Sequence, residues 1–525
     1  MFYNLERRMH KNPQLLKQYS EFMDAYLSLE HMSEIPKPDN SGYFLSHHPV
    51  YNESSPTTKL RVVFNASLKT SNSKSINDNL LTGPNLQQDL FSILIPFRTH
   101  KIVITADVQK MYRQILLHDD HKKYQQIFWR HNTNEPVKVY QLNTVTYGFA
   151  SSSFLATRCL IELANQSKIQ YPIASDLIYN DFYVDDLITG ADTIEQASQL
   201  LTEVNFILQS GCFQLHKINS NCPSLVSNLQ VNMQSTVSLD KQQPTKTLGV
   251  LWHNDTDTIT FSTNGKISSQ PQVTKRAILS TIAKIFDPLG LVSPITVTAK
   301  IILQKIWALK INWDESLPAD LHTIWESFVK NFGALDNISI PRRVIHTLEA
   351  VQLHGFCDAS QNAYGACVYL RTRDSMGIYR AHLLCAKSKV APLQCLTIPR
   401  LELCAALLLA RMLDKVTKIL NVTIREKFYW TDSSIVLSWI SLNPTTLNVF
   451  VSHRIAEIQS LSADADWHYV PSNKNPADIL SRGCTPSRLN QSLLWWHGPE
   501  FLQTNTEHIN FTAKEHTQLV IPEIK

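Results

Sequence analysis

Two adjacent aspartates, Asp185 and Asp186, lie between the apolar runs Phe182-Tyr183-Val184 and Leu187-Ile188. A third, Asp107, closes the apolar run Ile102-Val103-Ile104-Thr105-Ala106. An aspartate at a strand end and an aspartate pair at a hairpin tip can converge, which ties two distant segments to one place. Adjacent carboxylates repel, so a site that keeps them ionised together normally contains cations, and Mg²⁺ prefers such oxygen ligands while leaving other positions to water and substrate phosphates. Two such ions about 3.5–4 Å apart stabilise the attacking and leaving oxygens of a phosphoryl displacement. Taken singly, each feature also fits a plain structural role, because Asp-Asp is a common turn pair and a strand-end Asp often caps a helix.

The carboxy-terminal third repeats this chemistry on different elements. Asp358 ends the run LHGFCDAS, Glu402 falls in the first turns of a helix after Pro399, Asp432 ends FYWTDSS, and Asp478 opens the helix ADILSRG. Four carboxylates at element ends can meet on one side of a sheet and hold two Mg²⁺ that activate water against a phosphodiester. Helix capping or a surface position is the alternative for each acid alone.

Composition sets the frame for both clusters. The chain has 525 residues, 43% hydrophobic and 18% charged, which suggests about three folded domains and excludes a disordered chain. Glycine, 14 residues, is too scarce for a collagen-like or glycine-rich chain, and a net charge of +4 is compatible with a polyanionic partner without requiring one. Nine scattered cysteines without a Cys-x-x-Cys pair argue against a zinc finger or disulfide framework and fit a reducing, intracellular compartment. The amino terminus MFYNLERRMH has no signal-peptide core, and the longest strongly apolar run, Leu403 to Ala410, is too short to cross a bilayer, so no membrane partner is expected.

The pattern along the chain reads as α+β and multidomain. Leu15, Leu16, Tyr19, Phe22, Met23, Tyr26 and Leu27 predict an amphipathic helix within Pro13 to Met32. From Tyr43 to about Phe261, short strand-like runs alternate with helical segments such as Ser153 to Gln166 and Thr193 to Gln209. The Asn-, Ser- and Gln-rich stretch Asn219 to Lys246 predicts a long surface connection of weak order. Val273 to about Phe332 has helical periodicity broken at Asp287-Pro288-Leu289-Gly290 and near Leu317-Pro318, which suggests a small all-helical spacer or clamp. From near His346, three strands, a helix from Pro399 to about Leu420, a strand, a helix and a strand describe a separate mixed-sheet domain. After Arg488 the chain is polar apart from LLWWHGPEFL, and no internal repeat is present.

Tyr183-Val184-Asp185-Asp186 is the Tyr-x-Asp-Asp signature of reverse transcriptases. Together with LRVVFNAS, INDNLLTGPNL, ITADVQKMYRQI, YGFASSSFLA, DFYVDDLITGAD and IAKIFDPLGLVSP, it resembles the polymerase of BEL/Pao-type LTR retrotransposons over most of residues 1 to 350. The resemblance implies a right-hand polymerase with fingers and palm at 1–265 and a helical thumb or connection at 266–345. A ribonuclease H-like mixed-sheet domain would follow at 346–485, then a tail at 486–525 leading toward an integrase. It further implies metal contacts from Asp107, Val108, Asp185 and Asp186, and substrate contacts from Tyr183 beside them and from the aromatic gate Tyr112, five residues after Asp107. Arg61 would grip the triphosphate, Gly148 and Ser152 would let backbone approach nucleotide and template, and Lys217 would protonate the pyrophosphate leaving group. Asn65 stands where the family usually has Asp, and Ser153 where it usually has Pro.

In the second region Asp358, Glu402, Asp432 and Asp478 resemble the Asp-Glu-Asp-Asp set of ribonuclease H. His468, ten residues before Asp478, falls where retroviral-type enzymes carry a histidine in a mobile loop that assists product release. The implied cofactors are Mg²⁺, two per site, with Mn²⁺ as the alternative. The implied partners are an RNA template, a DNA primer, their hybrid, deoxynucleoside triphosphates, and a second copy or other element-encoded proteins. The implied compartment is the cytoplasm, in a virus-like particle, or the nucleus. No Asp-Thr-Gly or Asp-Ser-Gly protease motif, zinc knuckle or integrase His/Cys array is found, so the chain resembles an internal piece of a longer polyprotein or a truncated copy. Two other classes remain open: a truncated or domesticated copy that binds nucleic acid without catalysis, and a metal-dependent hydrolase of small phosphate esters, which would need only one carboxylate cluster and leave the thumb and fingers unexplained.

Overall fold

The computed structural model describes all residues except 37–40, 52–59, 226–244, 248, 264–272, 348–349, 375, 505–520 and 525. Most of the stretch Asn219 to Lys246, expected to be a weakly ordered connection, therefore lies outside the described residues. Two compact units form, one from residues 1–88, 105–187 and 198–218, the other from 89–104, 188–197 and 219–525.

In the first unit a helix Phe2–His10 precedes the expected amphipathic helix, which spans Pro13–Ser28. Asn12 caps it by accepting from the Leu15 amide at 3.1 Å, and Pro13 supplies a preset helical φ at the first position. Its buried residues Tyr19, Met23 and Tyr26, spaced four and three apart, pack with Phe64, Trp129 and Leu142 into the core. The hairpin strands Ser46–Tyr51 and Leu60–Asn65 pair antiparallel, so that Arg61 lies opposite Val50. A helix Ser152–Ser167 buries Ser152, Ala156, Leu160 and Ala164, one residue per turn.

The strand Phe182–Tyr183 returns through a tight turn to the strand Asp186–Ala191, with Tyr183 opposite Asp186. The sheet that contains this hairpin continues with Ile102–Val108 and then Leu215–Ser220. The apolar runs on either side of the aspartates thus become paired strands, and the acids are left at strand ends.

The second unit is organised around a five-stranded sheet. Val351–Ala359, Ala363–Arg373 and Tyr379–Val390 pair antiparallel, and Ile424–Thr431 and Trp467–Tyr469 add parallel on the other side of Val351–Ala359. Every residue of the central strand Val351–Ala359 is buried, as expected for a strand covered on both faces. The helix Ile398–Ile419 packs on it through Leu401, Ala405, Leu409 and Leu413, each fully buried leucine contributing about 1.5–3 kcal/mol. Gly355 permits this approach, because a Cβ there would meet Leu409 Cδ1 at 2.4 Å.

Two features differ from the sequence expectation. The helices Lys275–Ile282, Ser293–Ala308 and Ala319–Phe332 do form, but the middle one shares its core with the sheet instead of standing apart as a spacer. Gln304 donates to the Ala391 carbonyl, and Gly483 lies against Thr298 and Pro294. The run LLWWHGPEFL, expected in a departing tail, is also part of this core. Trp495 and Leu502 are fully buried, the Trp495 indole donates to the Leu291 carbonyl, and the Tyr369 hydroxyl donates to the Trp495 carbonyl. Burial of so large an apolar surface outweighs the polar composition around it. Among the described residues no helix is long and apolar enough to cross a membrane, and all nine cysteines are free thiols.

Candidate active sites

The Tyr183–Asp186 turn sets up the first cluster. Val184 sits at φ 57°, a left-handed conformation that is rare for a β-branched residue, and its amide donates to Gln87 Oε1 at 3.1 Å. Val108, next to Asp107, ties the strands together by donating its amide to the Asp185 carbonyl at 2.8 Å. Burial pushes Asp186 up to about 7, followed by repulsion from Asp185 and then Asp107. Asp185 is raised by burial and by Asp107, against the opposing pull of Lys217 and Arg61. Lys217, at φ 51°, places its ammonium 3.0 Å from Asp107 Oδ2. Asp107, Asp185, Asp186, Lys217 and Arg61 therefore share one electrostatic environment.

Tyr112 follows Asp107 on the short 3-10 turn Met111–Gln114, with its hydroxyl 3.3 Å from Ser153 Oγ. Gly148, at φ 102°, passes so close to Phe64 that a Cβ would lie 2.6 Å from the Phe64 carbonyl oxygen. Asn77, which sequence reasoning did not single out, clamps this loop by donating to the Gly148 carbonyl and accepting from the Ala150 amide, both at 2.9 Å. Ser152 is buried and its hydroxyl donates to the Thr146 carbonyl, so it acts on the loop through backbone. Asn65 accepts from the Ser67 amide in a local turn. Half-buried Tyr183 ends its strand one residue before the strained Val184.

The second cluster is held by hydroxyl groups. Ser481 donates to Asp358 Oδ2 at 2.5 Å, Ser433 to Glu402 Oε2 at 2.6 Å, and Ser472 to Asp432 Oδ2 at 2.6 Å. Asp478 Oδ1 accepts from Arg482 Nε at 2.5 Å. Burial first, then the Asp432 charge and later Asp478, pushes Asp358 up to about 7. Glu402 is raised by burial and by Asp432, which the Ser433 hydrogen bond opposes. Asn475 fixes the geometry from the core: its amide donates to the Cys357 carbonyl at 3.0 Å while its Oδ1 caps the helix Pro476–Arg482 that carries Asp478.

His468 does not occupy a loop beside these acids. It pairs in register with Trp430 on the strand Trp467–Tyr469, its ring 5.0 Å from that of Trp430 and 5.8 Å from that of Phe428. Its spacing from Asp478 is right in sequence, but aromatic packing keeps it in the sheet. The segment that reaches the cluster is Ser472–Lys474, through Ser472. Ser433, Ser472, Ser481 and Asn475 lay beside the predicted acids in sequence, yet short polar residues near turns carry no signal that distinguishes them from ordinary caps.

Among the described residues no three His, Cys, Asp or Glu side chains form a group that could hold a metal ion as placed. Asp107 and the four acids of the second cluster are held instead by local donors. Their chemistry nonetheless fits a hard divalent cation, since both donor sets are carboxylate oxygens. In the second cluster Asp432 Oδ1 is buried without a hydrogen-bond partner, a costly state that a cation would relieve.

A family model for reverse transcriptase (RNA-dependent DNA polymerase) matches residues 35–250, and one for the Pao retrotransposon-like RNaseH-like domain matches residues 274–433. The chain is similar to solved structures of the foamy viral protease-reverse transcriptase. In complex with RNA/DNA hybrid, that structure has a TM-score of 0.54 at 15% identity, covering 88% of this chain and 54% of the viral one. In complex with dsDNA, the score is 0.53 at 15% identity, over 87% and 83% of the two chains. The dRH form with dsDNA scores 0.54 at 15% identity, over 87% and 69%. At that identity the likeness is one of fold. No curated protein matches the chain.

Proposed function

The chain belongs to the Pao-type retrotransposon polymerases, a reverse transcriptase followed by a ribonuclease H-like domain, and on that premise we propose that it copies RNA into DNA at Asp107, Asp185 and Asp186 and degrades the RNA of the resulting hybrid at Asp358, Glu402, Asp432 and Asp478. The observation that carries this reading is the gathering of carboxylates in two places, where burial first and the neighbouring acids second push Asp186 in one and Asp358 in the other up to about 7. Acids placed so that they oppose one another's ionisation lose stability unless a cation uses them. Bound Mg²⁺ or Mn²⁺, two per site, would neutralise the attacking and leaving oxygens of phosphoryl transfer.

The chain's own residues supply the rest. The backbone of Val108 and the carboxylates of Asp107, Asp185 and Asp186 form the metal-binding edge, and Arg61 offers a guanidinium fork to the triphosphate of an incoming deoxynucleotide. Tyr112 presents a ring to its sugar, Tyr183 flanks it from the turn, and Gly148 with Ser152 keeps the neighbouring loop close to the nucleotide. Lys217, already on Asp107, is placed to give a proton to pyrophosphate. The fingers and palm are assigned to 1–265, the thumb or connection to 266–345, and the nuclease to 346–485. The helical segment would hold template, primer and hybrid by phosphate contacts and A-like shape. A polymerase that leaves an RNA–DNA hybrid gains from a nuclease on the same chain, since the second strand cannot be made until the RNA is removed. A cytoplasmic particle or the nucleus is the compartment this reading assigns.

Extension of a DNA primer on an RNA template with Mg²⁺ tests it. Asp185→Asn is expected to abolish extension and Asp478→Asn only template degradation. Tight, salt-sensitive hybrid binding without either reaction would replace this reading with a catalytically silent nucleic-acid-binding copy.

A further inference from the structure

The helix Pro476–Arg482 carries Asp478 near its start and Arg482 at its end, and their side chains meet at 2.5 Å. The other three acids of the cluster are held by serine hydroxyls, neutral donors that leave their charge uncompensated. Arg482 is therefore a full positive charge set against an acidic group, and its guanidinium lies in the field of Asp478 first, then Asp358 and Asp432.

The helix has little need of this pair. Asn475 already caps its start, Gly483 at φ 79° ends it, and Ala477 and Leu480 anchor it in the core. The two side chains are 68% and 31% exposed, and an exposed pair four residues apart adds little to helix stability. A weak, solvated ion pair that engages one oxygen of an otherwise crowded cluster is easily exchanged for a stronger cation.

We propose that Arg482 is a built-in counter-cation of the second cluster, competing with a divalent metal ion for Asp478 and releasing it when the ion binds. This rests on the reading of that cluster as a metal-dependent nuclease site. A divalent ion offers twice the charge and accepts oxygens from several acids at once, whereas the guanidinium engages Asp478 alone at hydrogen-bond distance. Arg482 is thus a positioning residue: it keeps Asp478 ordered and its charge balanced until the ion arrives.

Calorimetric titration of Mg²⁺ into the full chain carrying Asp185→Asn and Asp186→Asn isolates the second cluster. In that background Arg482→Gln is expected to bind Mg²⁺ about two- to fivefold tighter, the factor expected for removing a competing exposed ion pair. Arg482→Lys, which keeps the charge, is expected to stay near the parent. Unchanged or weaker binding by Arg482→Gln, or a lysine variant as tight as the glutamine one, overturns the proposal. In those cases loss of the binding heat in Asp358→Asn leaves the nuclease reading standing. A parent with no Mg²⁺ heat that Asp358→Asn removes overturns both.

Discussion

The two carboxylate clusters confront the same repulsion by different means. In the first, the acids are carried by backbone: Asp185 and Asp186 follow the left-handed Val184 in a two-strand turn, the Val108 amide bonded to the Asp185 carbonyl holds the Asp107 strand beside them, and Lys217 balances Asp107. In the second, the acids come from two strand ends and two helices, and hydroxyl groups hold three of them one at a time. A hairpin turn and the strand bonded to it can enforce proximity through backbone, whereas four separate elements need side-chain donors and a packed sheet to converge. The difference predicts where each site is fragile.

The largest effect is expected at Asn475. Asn475→Ala removes a helix cap and leaves the buried Cys357 carbonyl without its donor, a loss of about 2–4 kcal/mol. Chemical denaturation should show it, and degradation of a hybrid should fall while primer extension persists. Equal loss of both reactions would erase the distinction between the sites.

Gly148→Ala should act on the first region alone. Its Cβ would lie 2.6 Å from the Phe64 carbonyl at a φ of 102°, so a cost of about 1–3 kcal/mol and a fall in primer extension are expected, with hybrid degradation unchanged. Wild-type extension by this variant would show that the loop is not held as tightly as its geometry requires.

A third prediction concerns pH. Asp186 is raised from its ordinary value to about 7, so its protonated form favours folding. That contribution is complete below the unfolded value near 4 and is lost as pH rises through about 7. In metal-free buffer, Asp186→Asn should therefore melt higher than the parent at pH 8, by about 1–2 kcal/mol after discounting for solvent, and match it at pH 4. Equal melting at both values would mean that burial and the neighbouring acids do not raise Asp186. Added Mg²⁺ should reverse the order at pH 8, because only the parent gains a full set of ligands.

The smallest effect is expected for Ser481→Ala, about 1 kcal/mol, since it removes one hydroxyl donor from a carboxylate that can protonate instead. Mg²⁺ affinity of the second cluster should shift while that of the first does not. A change in both would point to a general loss of packing.

The acids themselves were legible in sequence, because carboxylates between apolar runs have few places to go. So was the α+β order of elements, since periods of two and 3.6 residues come from local geometry. Three things were not. His468 has the right separation from Asp478, yet its ring lies against Trp430 and Phe428, a preference set by residues distant in sequence. The run LLWWHGPEFL reads as a terminal extension until Leu291 and Tyr369 are seen to receive it. The serines that hold the second cluster are indistinguishable in sequence from ordinary turn serines.

What the sequence by itself determined is therefore the chemistry and its local carriers: which residues are charged, and which segments become strands or helices. Only the tertiary structure decided which donor meets which acid and how far each carboxylate resists ionisation. The reason is physical: secondary structure follows from neighbours a few residues away, whereas burial and pairing of charge depend on contacts such as Ser481 with Asp358 that close a chain separation of 123 residues.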